Sequence, residues 1–350
     1  MIRQAASMAS NDFASFEFDP HRLEKYLKGV LPDLAGPMGL QRIGGGQSNP
    51  TFFVEFPDRC LVLRKKPAGD ILPSAHAVDR EYRVLTALAR TGVPVPTALL
   101  YEEDPRITGT PFYVMERVEG RVFHDCSLPG VPAEQRRAMY FAMADTLGAL
   151  HRVAPSDVGL ADYGRPGNYF SRQIARWSRQ YAENRTRDIP SIERVIDWLP
   201  VNIPQGEETA ISHGDFRLGN LMFHPEEPRI VAVLDWELST LGHPLADAAY
   251  SCLPWHTLPS WYGGIMSLDH AALGLPSEAE YRARYNAASG RSVGVATAHV
   301  VFALFRFAII LEGVAARARS GAAASDNAHE VGALATLIAD RAAELAETGL

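Results

Sequence analysis

A chain of 350 residues is long enough for two cores, and a composition of 47% apolar and 21% charged residues excludes wholesale disorder. The formal charge of −7, with no block of Lys or Arg, excludes nucleic acid as an expected partner, because phosphate binding needs a basic face. Three scattered cysteines, Cys60, Cys126 and Cys252, suit a reducing cytoplasm and not a disulfide framework or a zinc site.

No continuous apolar run occurs in "MIRQAASMASNDFASFEF", so no secretory signal is expected. Residues 19–34, "DPHRLEKYLKGVLPDL", predict a helix opened by an Asp-Pro start. The glycine cluster of "LQRIGGGQSNPTFFVEFPDRCLVLRKKP" precedes two β-rich runs, "TFFVEF" and "CLVLR", parted by the turn signal "PDR". Val78, Tyr82, Leu85 and Leu88 form a helical stripe within 75–91, and "VPVPTALLYEE" and "PFYVMERVEG" add strands. Up to residue 118 the order is three strands, a helix and two strands.

Beyond "VEGR" the pattern turns helical, at 132–153, 168–184 and 191–199, interrupted by the strand-like "NLMFH" and "IVAVLDWE". The boundary falls within "ERVEG", dividing the chain into 1–118 and 119–350. The apolar stretch 293–314 is long enough for a membrane span, but His299 and Arg306 interrupt it, so a buried helix is expected.

The most informative stretch is "SHGDFRLGN" at 212–220. Asp215 stands five residues before Asn220, and Asp235 follows another apolar run in "VLDWE". Any single Asp or Asn in a loop is most often a turn or cap residue. In this order the three match what phosphoryl transfer requires: a base for the accepting hydroxyl and oxygen ligands for Mg²⁺, which keeps several waters and needs few protein ligands.

"HGDFRLGNLMFH", "VLDWE" and "GHPLADAAY" resemble the aminoglycoside phosphotransferase and choline kinase type of small-molecule kinase, and the resemblance runs from about residue 40 to about residue 315. It implies an α+β, two-lobed protein-kinase-like fold with a small sheet-based N-terminal lobe and a larger, mainly helical C-terminal lobe. It further implies ATP and Mg²⁺ as cofactors, with GTP left open. Asp215 would be the catalytic base, Asn220 and Asp235 the Mg²⁺ ligands, Asp247 a brace for the catalytic region, and His213 an orienting residue. Gly44, Gly45, Gly46, Ser48 and Asn49 resemble the hairpin that covers the nucleotide. Arg64 or, by strand alternation, Lys66 would meet its phosphates, with Glu81 as carboxylate partner. The adenine would meet the backbone from Glu116 to Val118.

Two departures from protein kinases, Gly214 in place of an arginine and "DWE" in place of Asp-Phe-Gly, argue against a protein substrate. Arg217-Leu218 replaces the His-Pro frequent in the small-molecule family. Arg217 stands where protein kinases carry a lysine aimed at the transferring phosphate, and it is expected to stabilise that group. Presence of both base and metal ligands favours an enzyme over a nucleotide-binding pseudokinase.

For the small-molecule acceptor, "LRKKPAGDILPSAHAVDREYRVLTAL" and the 212–250 block resemble kinase-like domains fused to acyl-CoA dehydrogenases. That implies a hydroxyacyl group, carried on coenzyme A, with any dehydrogenase on a separate protein; an aminoglycoside or amino alcohol is the alternative. His76, His124, His151, His224, His243 and His256 lack metal-ligand spacing and read as structural or surface residues. Trp255, His256, Trp261 and Tyr262 read as substrate contacts or as aromatic packing. Arg306 needs a buried partner, expected to be a carboxylate, the alternative being that it lines the acceptor site.

Overall fold

Asp19 accepts the His21 amide at 3.0 Å and Pro20 occupies the first turn, so α1 (Pro20–Val30) begins where the Asp-Pro signal places it. A computed structural model describes residues 16–44, 49–69, 77–204, 206–319 and 328–350. The chain divides into two compact units, residues 1–89 with 96–118, and residues 90–95 with 119–350.

In the first unit, β1 (Gly39–Arg42), β2 (Thr51–Phe56), β3 (Arg59–Lys65), β4 (Ala98–Glu102) and β5 (Phe112–Glu116) form one sheet in the order β1-β2-β3-β5-β4, every neighbouring pair antiparallel. Strict alternation in β2 buries Phe52, Val54 and Phe56. These residues join Leu61, Leu63, Phe112, Val114 and the Leu23 and Leu27 stripe of α1 in one core. The helix α2 (Val78–Leu88) packs against β4 and β5, burying Val84, Leu85 and, unusually for a carboxylate, Glu81. The one-turn helix α3 (Pro105–Thr108), capped by Asp104, is too short to show periodicity and is not legible in the sequence.

The second unit carries α4 (Ala133–Arg152), α5 (Tyr169–Asn184) and α6 (Pro190–Asn202), then two short strand pairs. β6 (Ala210–Ser212) pairs with β9 (Thr240–Gly242), and β7 (Leu221–Phe223) with β8 (Ile230–Val233), both antiparallel. Helices α7 (Pro244–Ser251), α8 (His270–Leu273), α9 (Glu278–Ser289), α10 (Thr297–Arg319) and α11 (Ala328–Thr348) follow. By length and composition α10 passes for a membrane span, yet 83% of its most apolar window is buried within the protein. It packs on α5, α6, α7 and α11 as a core helix.

Candidate active site

In the second unit the loop 213–220 joins β6 to β7, and Asp235 follows β8. Because β7 pairs with β8 and β6 with β9, the two loops are drawn together. The Leu234 amide donates to the Asn220 carbonyl at 2.8 Å, and His213 Nε2 lies 2.9 Å from the Leu234 carbonyl. The Asp215 amide donates to His213 Nδ1 at 3.2 Å, so the imidazole, held at both ring nitrogens, lashes one loop to the other. Trp236, buried against the His213 ring at 4.7 Å, donates its indole N–H to the Val233 carbonyl.

Asp247, in the first turn of α7, is fully buried. Its carboxylate accepts the amides of His213 at 2.6 Å and Gly214 at 3.0 Å, and His151 Nε2 stands 3.6 Å away. Burial pushes the Asp247 carboxyl up, but His151, His213 and the Ser212 hydroxyl outweigh it and hold the group below the usual carboxylate value. Gly214 has φ +85°, and a Cβ there would meet the Leu238 carbonyl oxygen at 2.6 Å, which explains why no larger residue fills this position. Arg306, on α10, corrects an expectation. Its hydrogen-bond acceptor among the described residues is the Gly214 carbonyl, not a carboxylate, and its guanidinium lies 5.2 Å from the Tyr250 ring centroid and 5.7 Å from that of Trp177.

Asp215 itself is partly exposed. Its Oδ2 accepts from Asn220 Nδ2 at 2.7 Å and from Arg217 Nε at 3.1 Å, and its backbone carbonyl accepts Asn220 Nδ2 at 2.9 Å. Burial disfavours charge on Arg217, yet the Asp215 carboxylate more than offsets this, and the guanidinium stays protonated. Burial, and then the facing Asp215 carboxylate, push the Tyr250 phenol well above its ordinary value, so it remains neutral.

Asn220 spends its NH₂ on Asp215, which leaves its carbonyl oxygen as a ligand atom, and Asp235 sits at φ 62°, ψ 66° between β8 and the following 3₁₀ turn. One carboxylate and one carboxamide oxygen fit a hard cation that keeps its waters. Among the described residues no cluster of three or more His, Cys, Asp or Glu side chains forms, so a softer, fully protein-caged ion has no counterpart there.

The first unit holds a separate polar network. Arg64 lies across the ladder from Tyr113, and both face α2. Arg64 Nε is 3.0 Å from Glu81 Oε2, the Tyr113 hydroxyl donates to that same oxygen at 3.0 Å, and Asn49 Nδ2 donates to Glu81 Oε1 at 2.6 Å. Lys65 turns to the opposite face, buried 3.8 Å from Glu17. Lys66 lies one residue past the end of β3, where its amide bonds the Pro111 carbonyl, so strand alternation does not extend to aim it. Glu116 accepts from Arg59, and its amide bonds the Thr97 carbonyl; Val118, half-buried, ends the unit. Of the two cations that the sequence resemblance directs at nucleotide phosphates, Arg64 is the one fixed by Glu81, so on that reading Arg64→Ala is expected to weaken nucleotide binding by about tenfold or more, the scale of one charge-assisted contact. Lys66→Ala should change it less than threefold. Titration of both variants with a fluorescent nucleotide checks this, and the reverse order would transfer the role to Lys66.

Gly45, Gly46 and Ser48 lie outside the described residues, as does His76. His256 lies 3.0 Å from Glu278, and Trp255 packs on Tyr140 and Tyr281 with its N–H on the Pro276 carbonyl, so this pair belongs to the core. Sequence reading placed His151 among structural or surface residues without naming its partner, and it passed over Tyr250. The clue to both lay in their place on the inward stripes of apolar helices, where a polar side chain must find a partner.

Residues 39–297 match the model of a family described as a phosphotransferase enzyme family. Acyl-CoA dehydrogenase family member 10 of Mus musculus is 46% identical over 329 residues, covering 93% of this chain but only 31% of that protein. The chain thus spans about a third of the length of this curated relative. A crystal structure from Ralstonia eutropha JMP134, named provisionally as an aminoglycoside phosphotransferase, superposes with a TM-score of 0.86 at 45% identity, over 94% of this chain and 98% of that one. A thermostable mutant of aminoglycoside phosphotransferase APH(4)-Ia, in ternary complex with AMP-PNP and hygromycin B, superposes with a TM-score of 0.63 at 16% identity, over 94% and 99% of the two chains. That last likeness is one of fold, the protein-kinase-like α+β fold.

Proposed function

The chain belongs to the phosphotransferase enzyme family, the small-molecule kinases that phosphorylate hydroxyl groups, and on that premise we propose that it transfers the γ-phosphate of ATP to a hydroxyl on an acyl group carried by coenzyme A. The observation that carries the reaction is the loop 213–220, in which Asp215, Arg217 and Asn220 are hydrogen-bonded into one cluster and tied through Leu234 to the segment bearing Asp235. What supports the acyl substrate is the likeness, over nearly the whole chain, to a protein named as an acyl-CoA dehydrogenase family member.

Asp215 takes the proton of the acceptor hydroxyl as that oxygen bonds to the γ-phosphorus and the bond to the β–γ bridging oxygen breaks, releasing ADP. With Oδ2 occupied by two donors, the proton falls to the other carboxylate oxygen. Asn220 and Asp235 would hold Mg²⁺, which supplies positive charge to the phosphate oxygens. Arg217, charged and partly exposed, stabilises the transferring group. A Cβ on Gly219 would meet Arg217 Nη1 at 2.5 Å and His124 Nδ1 at 3.0 Å, so glycine is what leaves the guanidinium its space. In the first unit, Arg64 braced by Glu81 serves the nucleotide phosphates.

Arg217→Ala is expected to lower kcat by roughly 10²–10³-fold, the scale of one lost transition-state donor, with nucleotide affinity unchanged. Steady-state kinetics beside a nucleotide titration separates the two, and a normal kcat would remove Arg217 from the chemistry. The reaction as a whole is tested by ADP release with Mg²⁺ and ATP across hydroxyacyl-CoAs, aminoglycosides and amino alcohols such as choline. Turnover confined to the first class supports the reading; turnover confined to either other class replaces its substrate.

A further inference from the structure

The second unit contains a cavity of about 60 Å³ that shares Arg217 and Tyr250 with the surroundings of Asp215. Its inner wall is formed by Cys126, Met143 of α4, Tyr250 of α7, Leu253, Thr257 and Phe307 of α10, all buried. The Thr257 and Ser251 hydroxyls along this wall are already engaged within the protein. Thr257 Oγ1 donates to the Leu253 carbonyl at 3.1 Å. The neighbouring Ser251 Oγ donates to the Ala248 carbonyl at 2.7 Å and accepts the Tyr281 hydroxyl at 3.0 Å. Burial pushes the Cys126 thiol up to about 12, so it stays a neutral, weakly polar surface.

A hydroxyl or ammonium group placed in this cavity would shed its hydration and find little to replace it, which is unfavourable. The residues lining the cavity include no carboxylate. The basic groups there are Arg217 and His124, and with Tyr262 they form its outer end. A polycationic acceptor would meet the wrong charge at the entrance and the wrong polarity inside. An alkyl chain meets neither obstacle. The cavity is less than half the roughly 150 Å³ that admits a benzene ring, so it suits a short unbranched chain.

We propose that this cavity is the subsite for the hydrocarbon tail of the acceptor, the part beyond the carbon that bears the reacting hydroxyl, and that Met143, Leu253 and Phe307 set the tail length accepted. This inference rests on the reading of Asp215 as the base that receives the hydroxyl proton. It makes the enzyme selective for hydroxylated aliphatic chains by length, and it assigns the Tyr262 and Phe307 rings, 5.2 Å apart, to the walls of the passage.

Two measurements test it. In the first, a hydroxyacyl-CoA series keeps the spacing from thioester to hydroxyl constant and lengthens the tail one carbon at a time. Each methylene is expected to raise kcat/KM by about fourfold up to a limit of a few carbons, after which it falls. Met143→Ala should move that limit outward by one or two carbons. A kcat/KM indifferent to tail length would overturn the subsite.

The second measurement needs no turnover. In Asp215→Ala chain carrying ¹³C-methyl methionine, the Met143 resonance, assigned by its loss in Met143→Leu, should shift saturably with n-butanol and not with an aminoglycoside. An unmoved Met143 resonance overturns the proposal. Saturable shifts in a protein that turns over no acceptor would uphold an alkyl-binding cavity while sinking the proposed reaction, so the two failures are distinguishable.

Discussion

Asp215→Ala is expected to lower turnover by roughly 10²–10⁴-fold, the contribution of a positioned general base, while the protein stays folded and still binds nucleotide. The reasons are local. Asp215 is partly exposed and its side chain closes no core, so removing the carboxylate opens no cavity of consequence. The loop is held by other groups: the His213 and Gly214 amides on Asp247, the Gly214 carbonyl on Arg306, and His213 on the Leu234 carbonyl. Asn220 keeps its bond to the residue 215 backbone carbonyl in the variant, because that acceptor is not part of the side chain. Arg217 loses its carboxylate partner but remains solvated. What disappears is the group proposed to take the proton. The check is a steady-state assay beside a nucleotide titration and a circular dichroism spectrum. Turnover within tenfold of the parent would remove Asp215 from the role of base. A collapsed spectrum would instead mean that the carboxylate holds the loop.

The fold was legible because its signals are repetitive: the alternation of "TFFVEF" and the inward stripes of α1 and α2 each recur several times within one element. The three-residue strands β6 and β9 offer no such repetition, and yet they fix where the loop 213–220 starts and where the segment after Asp235 ends. Asp215, Asn220 and Asp235 stand out in the sequence because the chemistry proposed for them is carried by residue type and spacing. Their supports do not. Arg306 sets its guanidinium against a backbone carbonyl and two aromatic faces, and a carbonyl has no letter in the sequence. His151 and Asp247 are distant in the chain and meet only through the packing of α4 beside β6. The distinction between Arg64 and Lys66 depends on where the β3 ladder stops, which is set by the pairing of β3 with β5.

Asp247→Ala is expected to cost stability of roughly 3–5 kcal/mol, the scale for breaking a buried, hydrogen-bonded charge, and to abolish most activity with it. The carboxylate is fully buried and accepts two backbone amides that have no water to turn to. Its loss would also leave His151 facing a void. Asp247→Asn keeps the shape but presents one oxygen and one NH₂ to two N–H donors, so one of them meets a donor; it should fall between parent and Asp247→Ala. Denaturant midpoints for the three proteins measure this order, and an Ala variant as stable as the parent would contradict it. The pH dependence follows from the same geometry. The folded carboxyl is held below the unfolded value of about 4, so its stabilisation is complete above that pH and is lost as pH falls through the folded value. The parent should therefore lose stability more steeply than Asp247→Ala below about pH 4, and parallel curves there would mean that Asp247 is not held charged. Because the amides it anchors belong to His213 and Gly214, the residues leading directly into Asp215, the same carboxylate that stabilises the unit also fixes the starting point of the loop that carries the proposed base.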